Sequence, residues 1–160
     1  MSRYVRKGVW GKPRNTRCAR CQKDLPRIRE HWGPDRRSPD GLSCGWCRRC
    51  ITTSTKERNR ELRANALIHY SNGSPSCACC GEFRYEFLTL DHVHGGGNQH
   101  RREVTGSTKG GSSFYKWLKV NGYPDGFQVL CFNCNMAKAM NGKCSYHRAH
   151  NPRAHLGKAS

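Results

Sequence analysis

Residues 127–140 read FQVLCFNCNMAKAM, and how this stretch folds decides the architecture of the second half of the chain. Phe127, Val129 and Leu130 are aromatic, β-branched and aliphatic residues in a short run, which predicts a strand. Cys131-x-x-Cys134 follows, then a run of helix formers that stops at Asn141-Gly142, a residue pair suited to a helix C-terminus. A C-x-x-C at a strand-to-helix junction supplies two thiolates, and a tetrahedral zinc site needs four ligands. Cys77-Ala-Cys79-Cys80 offers the other half about 50 residues upstream, with Cys77 and Cys80 at the matching spacing. It leads into EFRYEFLTLDHVH, where Phe87, Leu88, Leu90 and Val93 predict a strand ending near His92. A loop rich in Gly, Ser and Thr over His94 to Ser113 and a short helix over residues 113–119 complete the order: strand, long loop, strand, helix.

Composition explains why metal is needed. The chain has 160 residues, and the hydrophobic class makes up 35% of them, a share that includes 11 cysteines. The remaining apolar residues build only a small core, so something besides apolar burial must hold the chain together. No stretch approaches the roughly 20 apolar residues of a membrane span, and the start, MSRYVRKGVW, lacks the apolar run of a secretory signal. A cytoplasmic, reducing setting is the expectation, and there C-x-x-C pairs are metal ligands more often than disulfides.

The first half is organised around a second set of cysteines. Residues 1–15 form a basic arm without apolar period, and residues 16–52 a zinc module with little core of its own. Its expected ligands are Cys18, Cys21, Cys47 and Cys50, with Cys44 spare; Cys44 with Cys47 is the competing choice. Trp32 and Trp46 are expected to cover this site. From Thr53 the sequence TSTKERNRELRANALIHY has no Pro or Gly, which predicts a helix over roughly 54–70 with Ser54 or Thr55 as its N-cap. Residues 53–72 therefore read as a basic helical linker, broken by Ser71-Asn72-Gly73-Ser74-Pro75, where the domain boundary is expected. Residues 73–147 form the second domain and residues 148–160 a polar tail.

Charge names the class of partner. Lys and Arg number 29 against 11 Asp and Glu, a net charge of +18. Residues 1–70 carry 18 basic and 6 acidic side chains, while residues 71–160 carry 11 and 5. Such an excess attracts polyanions, of which nucleic acid is the commonest for a basic chain, whereas a membrane surface would require an amphipathic or lipid-modified segment. Arg58, Arg60 and Arg63 on the helix and His100, Arg101 and Arg102 in the long loop are the candidate phosphate contacts.

Between the knuckles of the second cysteine set lies Leu90-Asp91-His92-Val93, and Asn135 follows Cys134 directly. Hydrolysis of a phosphodiester needs a base to take a proton from water and a hard cation to neutralise charge on the phosphate. His supplies the first, and oxygen ligands from Asp and Asn hold the second.

In CACCG, EFLTLDHVHGGG, HRRE, FYKWLKVNGYPDGFQVLCFNCNMAK and GKCSYH the chain resembles the HNH endonucleases (His-Me finger, ββα-metal), in particular the small zinc-containing enzymes of phages and mobile introns. The resemblance covers roughly Cys77 to His147. CARC and DGLSCGWCRRC are similar to the zinc-ribbon-like modules that often precede such domains. The implied fold class is a small α+β zinc-stabilised protein, a zinc-ribbon-like module plus a ββα-metal nuclease domain. The resemblance implies His92 as general base, Asp91 and Asn135 as ligands of one catalytic magnesium or manganese ion, and products with 5′-phosphate and 3′-hydroxyl ends. Its zinc ligands would be Cys77, Cys80, Cys131 and Cys134, making two structural zinc ions per chain. The family pattern places a further His or substitute on the helix after Asn135, where this chain has Lys138; His94 is the reserve for a metal or phosphate contact.

The function expected is thus a metal-dependent DNA endonuclease or nickase acting on double-stranded DNA in a phage-infected or mobile-element host cell, with a monomer most simply nicking. A zinc-dependent DNA-binding protein without turnover is the alternative from another class, and a partner acting only within a larger assembly is a third.

Overall fold

The computed structural model describes residues 15–43, 45–108, 111–142 and 144. The expected basic arm before Asn15, the polar tail, Cys44 and His147 lie outside the described residues. The described part is a small α+β structure with four α-helices and two two-stranded sheets. Two compact units divide at Glu57/Arg58.

In the first unit, β1 (Asn15–Arg17) and β2 (Asp24–Pro26) pair antiparallel with Thr16 opposite Leu25. Two such short strands bury almost nothing. The core is instead Trp32, fully buried, with Leu42, Cys18, Cys47 and Cys50. Trp32 also donates its indole N–H to the Pro26 carbonyl at 3.0 Å, so its polar edge is satisfied inside the cluster. Arg27 ties the following loop, its guanidinium pairing with the Asp40 carboxylate and donating to the carbonyls of Leu42 and Ser43. Trp46, expected over the first cysteine site, is 41% exposed and lies against the Arg20 guanidinium.

Helix α1 (Arg48–His69) starts six residues before the expected 54. The reason lies in the C-x-x-C: Arg48 follows Cys47 directly, and the cysteine pair turns the chain into the helix, so neither Ser54 nor Thr55 is its N-cap. The boundary between the units also falls inside this helix, not at Ser71–Pro75. Beyond Arg58 the helix turns Ala66 and Leu67, both fully buried, into the core of the second unit, so this part of it is not a linker.

The second unit is built on β3 (Leu88–His92) and β4 (Phe127–Cys131), antiparallel with Leu88 opposite Cys131, Leu90 opposite Val129 and His92 opposite Phe127. Leu88, Leu90, Val129 and Leu130 pack with Phe114 and Leu118 of α3 (Ser112–Val120). Helix α4 (Phe132–Asn141) follows β4 without a break and ends at Gly142, whose φ of 72° is the left-handed cap that Gly tolerates. A further difference from the sequence reading concerns the loop His94 to Ser113. It contains α2 (Gly97–Thr105), held between left-handed Gly96 and Gly106 and braced by a Gln99–Glu103 hydrogen bond of 2.9 Å one turn apart. Gly-rich flanks hid a nine-residue helix whose good helix formers are Gln99, Arg101, Arg102 and Glu103.

Candidate functional site

Each unit carries a four-cysteine group. Cys18, Cys21, Cys47 and Cys50 form one, and Cys77, Cys80, Cys131 and Cys134 the other, with all sulfurs of a group within 4.8 Å of one another. Zinc at about 2.3 Å from four tetrahedral sulfurs sets them about 3.8 Å apart. Cys80 and Cys131 sulfurs stand 3.6 Å apart. Backbone amides point at the sulfurs as well: Cys47 N–H donates to Cys18 Sγ at 3.2 Å, and Cys134 N–H to Cys131 Sγ at 3.4 Å. Such donors favour the charged thiolate that a metal requires. Burial pushes the Cys18 thiol up, but the amides of Cys21, Cys47 and Arg20 outweigh it and bring the thiol down to about 6. Both groups can hold a metal ion such as zinc, and four thiolates leave no position open for substrate.

Cys79, inside the Cys77–Cys80 knuckle, and Cys144 belong to neither four-cysteine group. The two meet in the folded chain: Cys79, Cys134 and Cys144 form a further trio with sulfurs within 4.8 Å, so Cys134 belongs to two groups at once.

The second feature is a polar cleft of about 560 Å³ at the end of β3, lined among others by Asp91, His92, Gly97, Arg101, Asn135 and Lys138. Strand alternation sets adjacent residues on opposite faces, so Asp91 and His92 enter it from different sides of the sheet. Asp91 lies on the side of α4. Its Oδ2 accepts from Gln128 Nε2 at 2.8 Å and from the Lys138 ammonium, which also donates to the carbonyl oxygens of His92 at 2.6 Å and Val93 at 2.9 Å. Among the described residues Oδ1 accepts no hydrogen bond, so this hard oxygen is available, and Asn135 lines the same cleft. Carboxylate and amide oxygens are the ligand types that suit a divalent cation such as magnesium.

His92 lies on the core side, where Leu88 and Leu90 precede it. Its ring packs against Phe114 (centroids 5.7 Å) and Phe127 (4.7 Å), and its Nε2 lies 3.0 Å from His100 Nδ1. Burial, reinforced by the charges around His100, Arg101 and Lys138 and opposed by Asp91, pushes the imidazole down to about 4. The ring is neutral at neutral pH, the state a proton acceptor needs.

Two groups of expected phosphate contacts separate in the fold. Arg58, Arg60 and Arg102 are exposed, and Arg101 borders the cleft with its guanidinium bonded to Asn98 Oδ1 and the Thr108 carbonyl. Arg63 is half-buried: it donates to the carbonyls of Tyr85 and Leu88 and stacks on the Tyr85 ring, a structural tie at the start of β3. His100 is packed among His92, Phe114, Trp117 and Phe127. The residues that sequence reasoning missed are Gln128 and Lys138 as partners of Asp91, and Gly97. The register could have signalled Gln128, since it stands directly across from Asp91. Lys138 stands one helical turn beyond Asn135, on the same side of α4.

No described helix is long and apolar enough to cross a membrane. Comparison of the chain with models of known protein families, with curated proteins and with solved structures finds no match.

Proposed function

We propose that the protein is a DNA endonuclease or nickase of the HNH type, hydrolysing phosphodiester bonds at the cleft between β3 and α4. The observation that carries this reading is the convergence of Asp91, His92 and Asn135 on one cleft, from a strand pair and the helix that follows it. A module that only binds DNA has no need of a desolvated, neutral imidazole next to a carboxylate with an open oxygen. Arg101 at the rim and the exposed Arg58, Arg60 and Arg102 supply the charge that a DNA backbone would meet.

In the reaction, His92 takes a proton from a water molecule as that water attacks phosphorus. The bond from phosphorus to the 3′-oxygen breaks, the 3′-oxygen takes a proton from solvent, and the phosphate stays on the 5′ end. Asp91, through Oδ1, and Asn135 would hold a magnesium or manganese ion, which supplies charge to offset that building on the phosphate. Lys138 keeps the Asp91 carboxylate turned toward the cleft through Oδ2, and Arg101 adds positive charge at its edge. The two four-cysteine groups, each with a zinc ion, would be structural, one for each unit.

The test is cleavage of supercoiled plasmid by purified protein with magnesium or manganese, with His92→Ala purified in parallel. Metal-dependent nicking or linearisation that disappears in the variant is expected. Absence of cleavage by a zinc-loaded protein that binds DNA overturns the reading in favour of a binding module.

A further inference from the structure

His92 has two ring nitrogens, and they face different surroundings. Nε2 is 3.0 Å from Nδ1 of His100. Nδ1 has no hydrogen bond among the described residues and faces Gly97, where a Cβ would come within 2.7 Å of it. Gly97 lines the polar cleft with Asp91 and Asn135, so Nδ1 is the nitrogen on that side.

A neutral imidazole carries one proton, and a base must present its lone pair to the substrate water. Only one orientation of the His92–His100 hydrogen bond allows this at Nδ1: Nε2–H of His92 donates and Nδ1 of His100 accepts. The reverse orientation would put the proton of His92 on Nδ1 and leave nothing to accept from water. From the geometry we infer that His100 is a positioning residue: by accepting from Nε2–H it fixes the tautomer of His92 that leaves Nδ1 open toward the cleft. This deepens the nuclease reading and rests on it for the catalytic consequence, but the tautomer itself is a property of the folded chain.

The surroundings of His100 suit that task. Its ring is clamped between Trp117 (centroids 5.0 Å), Phe114 (5.9 Å) and Phe127 (5.9 Å), so its accepting nitrogen cannot swing away without disturbing the core edge. It also lines an open cleft of about 260 Å³ with Pro124 and Asp125, which gives its own remaining N–H a route to water. Helix α2 delivers it: His100 N–H bonds the Gly96 carbonyl in the first turn, which ties the histidine to the Gly95–Gly97 turn that faces the other nitrogen of His92. One short helix thus touches both sides of the imidazole, with a hydrogen-bond acceptor on one and a clearance of glycine on the other. A buried carboxylate plays the same part toward the histidine of a serine-protease triad, where the wrong tautomer costs about 10⁴ in kcat.

Two variants separate hydrogen bonding from packing. His100→Phe keeps the aromatic contacts and removes the acceptor, whereas His100→Asn keeps a short polar side chain able to accept and loses the ring. Nitrogen NMR of the labelled full chain at neutral pH reads the tautomer of His92 directly. The wild type should show the proton on Nε2, His100→Phe a mixture or the other tautomer, and His100→Asn a return toward the wild-type spectrum. In plasmid cleavage kcat should fall at least about tenfold in His100→Phe with KM little changed, and recover in part in His100→Asn. A wild-type His92 protonated on Nδ1, or a spectrum unchanged by His100→Phe, overturns the inference. Should the wild type cleave nothing, the nuclease reading falls while the NMR result still decides the role of His100.

Discussion

The ammonium of Lys138 on α4 bonds the carboxylate of Asp91 near the end of β3, and the same nitrogen reaches the carbonyl oxygens of His92 and Val93. One lysine therefore locks the last turn of a strand to a helix and turns the carboxylate toward the cleft. Side-chain exposures of 18% for Lys138 and 13% for Asp91 place the pair mostly out of water, where a charge without its partner is costly.

Replacing Lys138 tests that lock. Lys138→Met keeps the stem but takes the ammonium away from a mostly buried carboxylate, leaving Gln128 as the donor to Asp91 Oδ2 and the Gly95 amide as the donor to the His92 carbonyl, and stability should fall by about 1–3 kcal/mol. Urea denaturation measures it; a variant as stable as wild type would show that water replaces the ammonium without loss.

Gly97 sets two effects against each other. Alanine at the first position of α2 gains helix propensity, up to about 1 kcal/mol. Its Cβ, however, would lie 2.7 Å from His92 Nδ1, and the ring has Phe114 and Phe127 behind it. The clash should win: Gly97→Ala should shift the histidine, weaken its bond to His100 and lower plasmid cleavage on the order of tenfold or more. A stabilised, fully active Gly97→Ala would refute the contact.

Metal content follows from the two four-cysteine groups. Elemental analysis should find two zinc ions per chain. Cys134→Ser should unfold the second unit, because structural zinc in small domains supplies about 10–16 kcal/mol of folding free energy. Cys79→Ser and Cys144→Ser leave both groups complete and should keep two zinc ions each. A drop to one zinc in either variant would reassign the ligands around Cys134.

Alkaline stability depends on Tyr70. Its hydroxyl donates to the Pro124 carbonyl at 2.8 Å, and burial, with Asp125 adding negative charge, pushes the phenol up to about 12. The folded state thus holds this proton more tightly than the unfolded chain, where the phenol ionises near about 10. The stabilising effect is complete below about pH 10 and is lost as pH rises through about 12. Stability curves of wild type and Tyr70→Phe should differ by a constant amount near neutrality and converge above about pH 10; curves that stay parallel to the alkaline limit would remove Tyr70 from the account.

The elements of the second unit were legible where spacing and period left little choice. Leu88 to His92 and Phe127 to Cys131 have short β-type runs, and Asn141-Gly142 stops α4 at the expected place. The second cysteine group was equally legible, because C-x-x-C fixes a metal-binding loop locally and four ligands close a site; in the first, the overlapping C-x-x-C pairs Cys44–Cys47 and Cys47–Cys50 left two choices. Helix α2 was not, since glycines on both sides of it mask a helix that gains its stability from packing His100 against Phe114 and Trp117. Arg63 and His100 were misread for a related reason. A basic side chain on a helix has the same letter whether it faces water or a backbone carbonyl 25 residues away, as Arg63 does with Leu88.

The sequence by itself determined the C-x-x-C pairs, the strands and final helix of the second unit, the positive charge and the presence of Asp91, His92 and Asn135, because each is set by composition or by local spacing; that Cys50 stands with Cys18, Cys21 and Cys47 was decided by the fold. Only the tertiary structure decided which neighbours give those residues their state. Lys138 and Gln128 meet Asp91 across 47 and 37 residues of chain, and His100 meets His92 through a helix hidden in a glycine-rich segment. Protonation, tautomer and ligand availability arise from charges and hydrogen-bond partners within a few ångströms, and those distances exist only once strand, helix and insert have packed together.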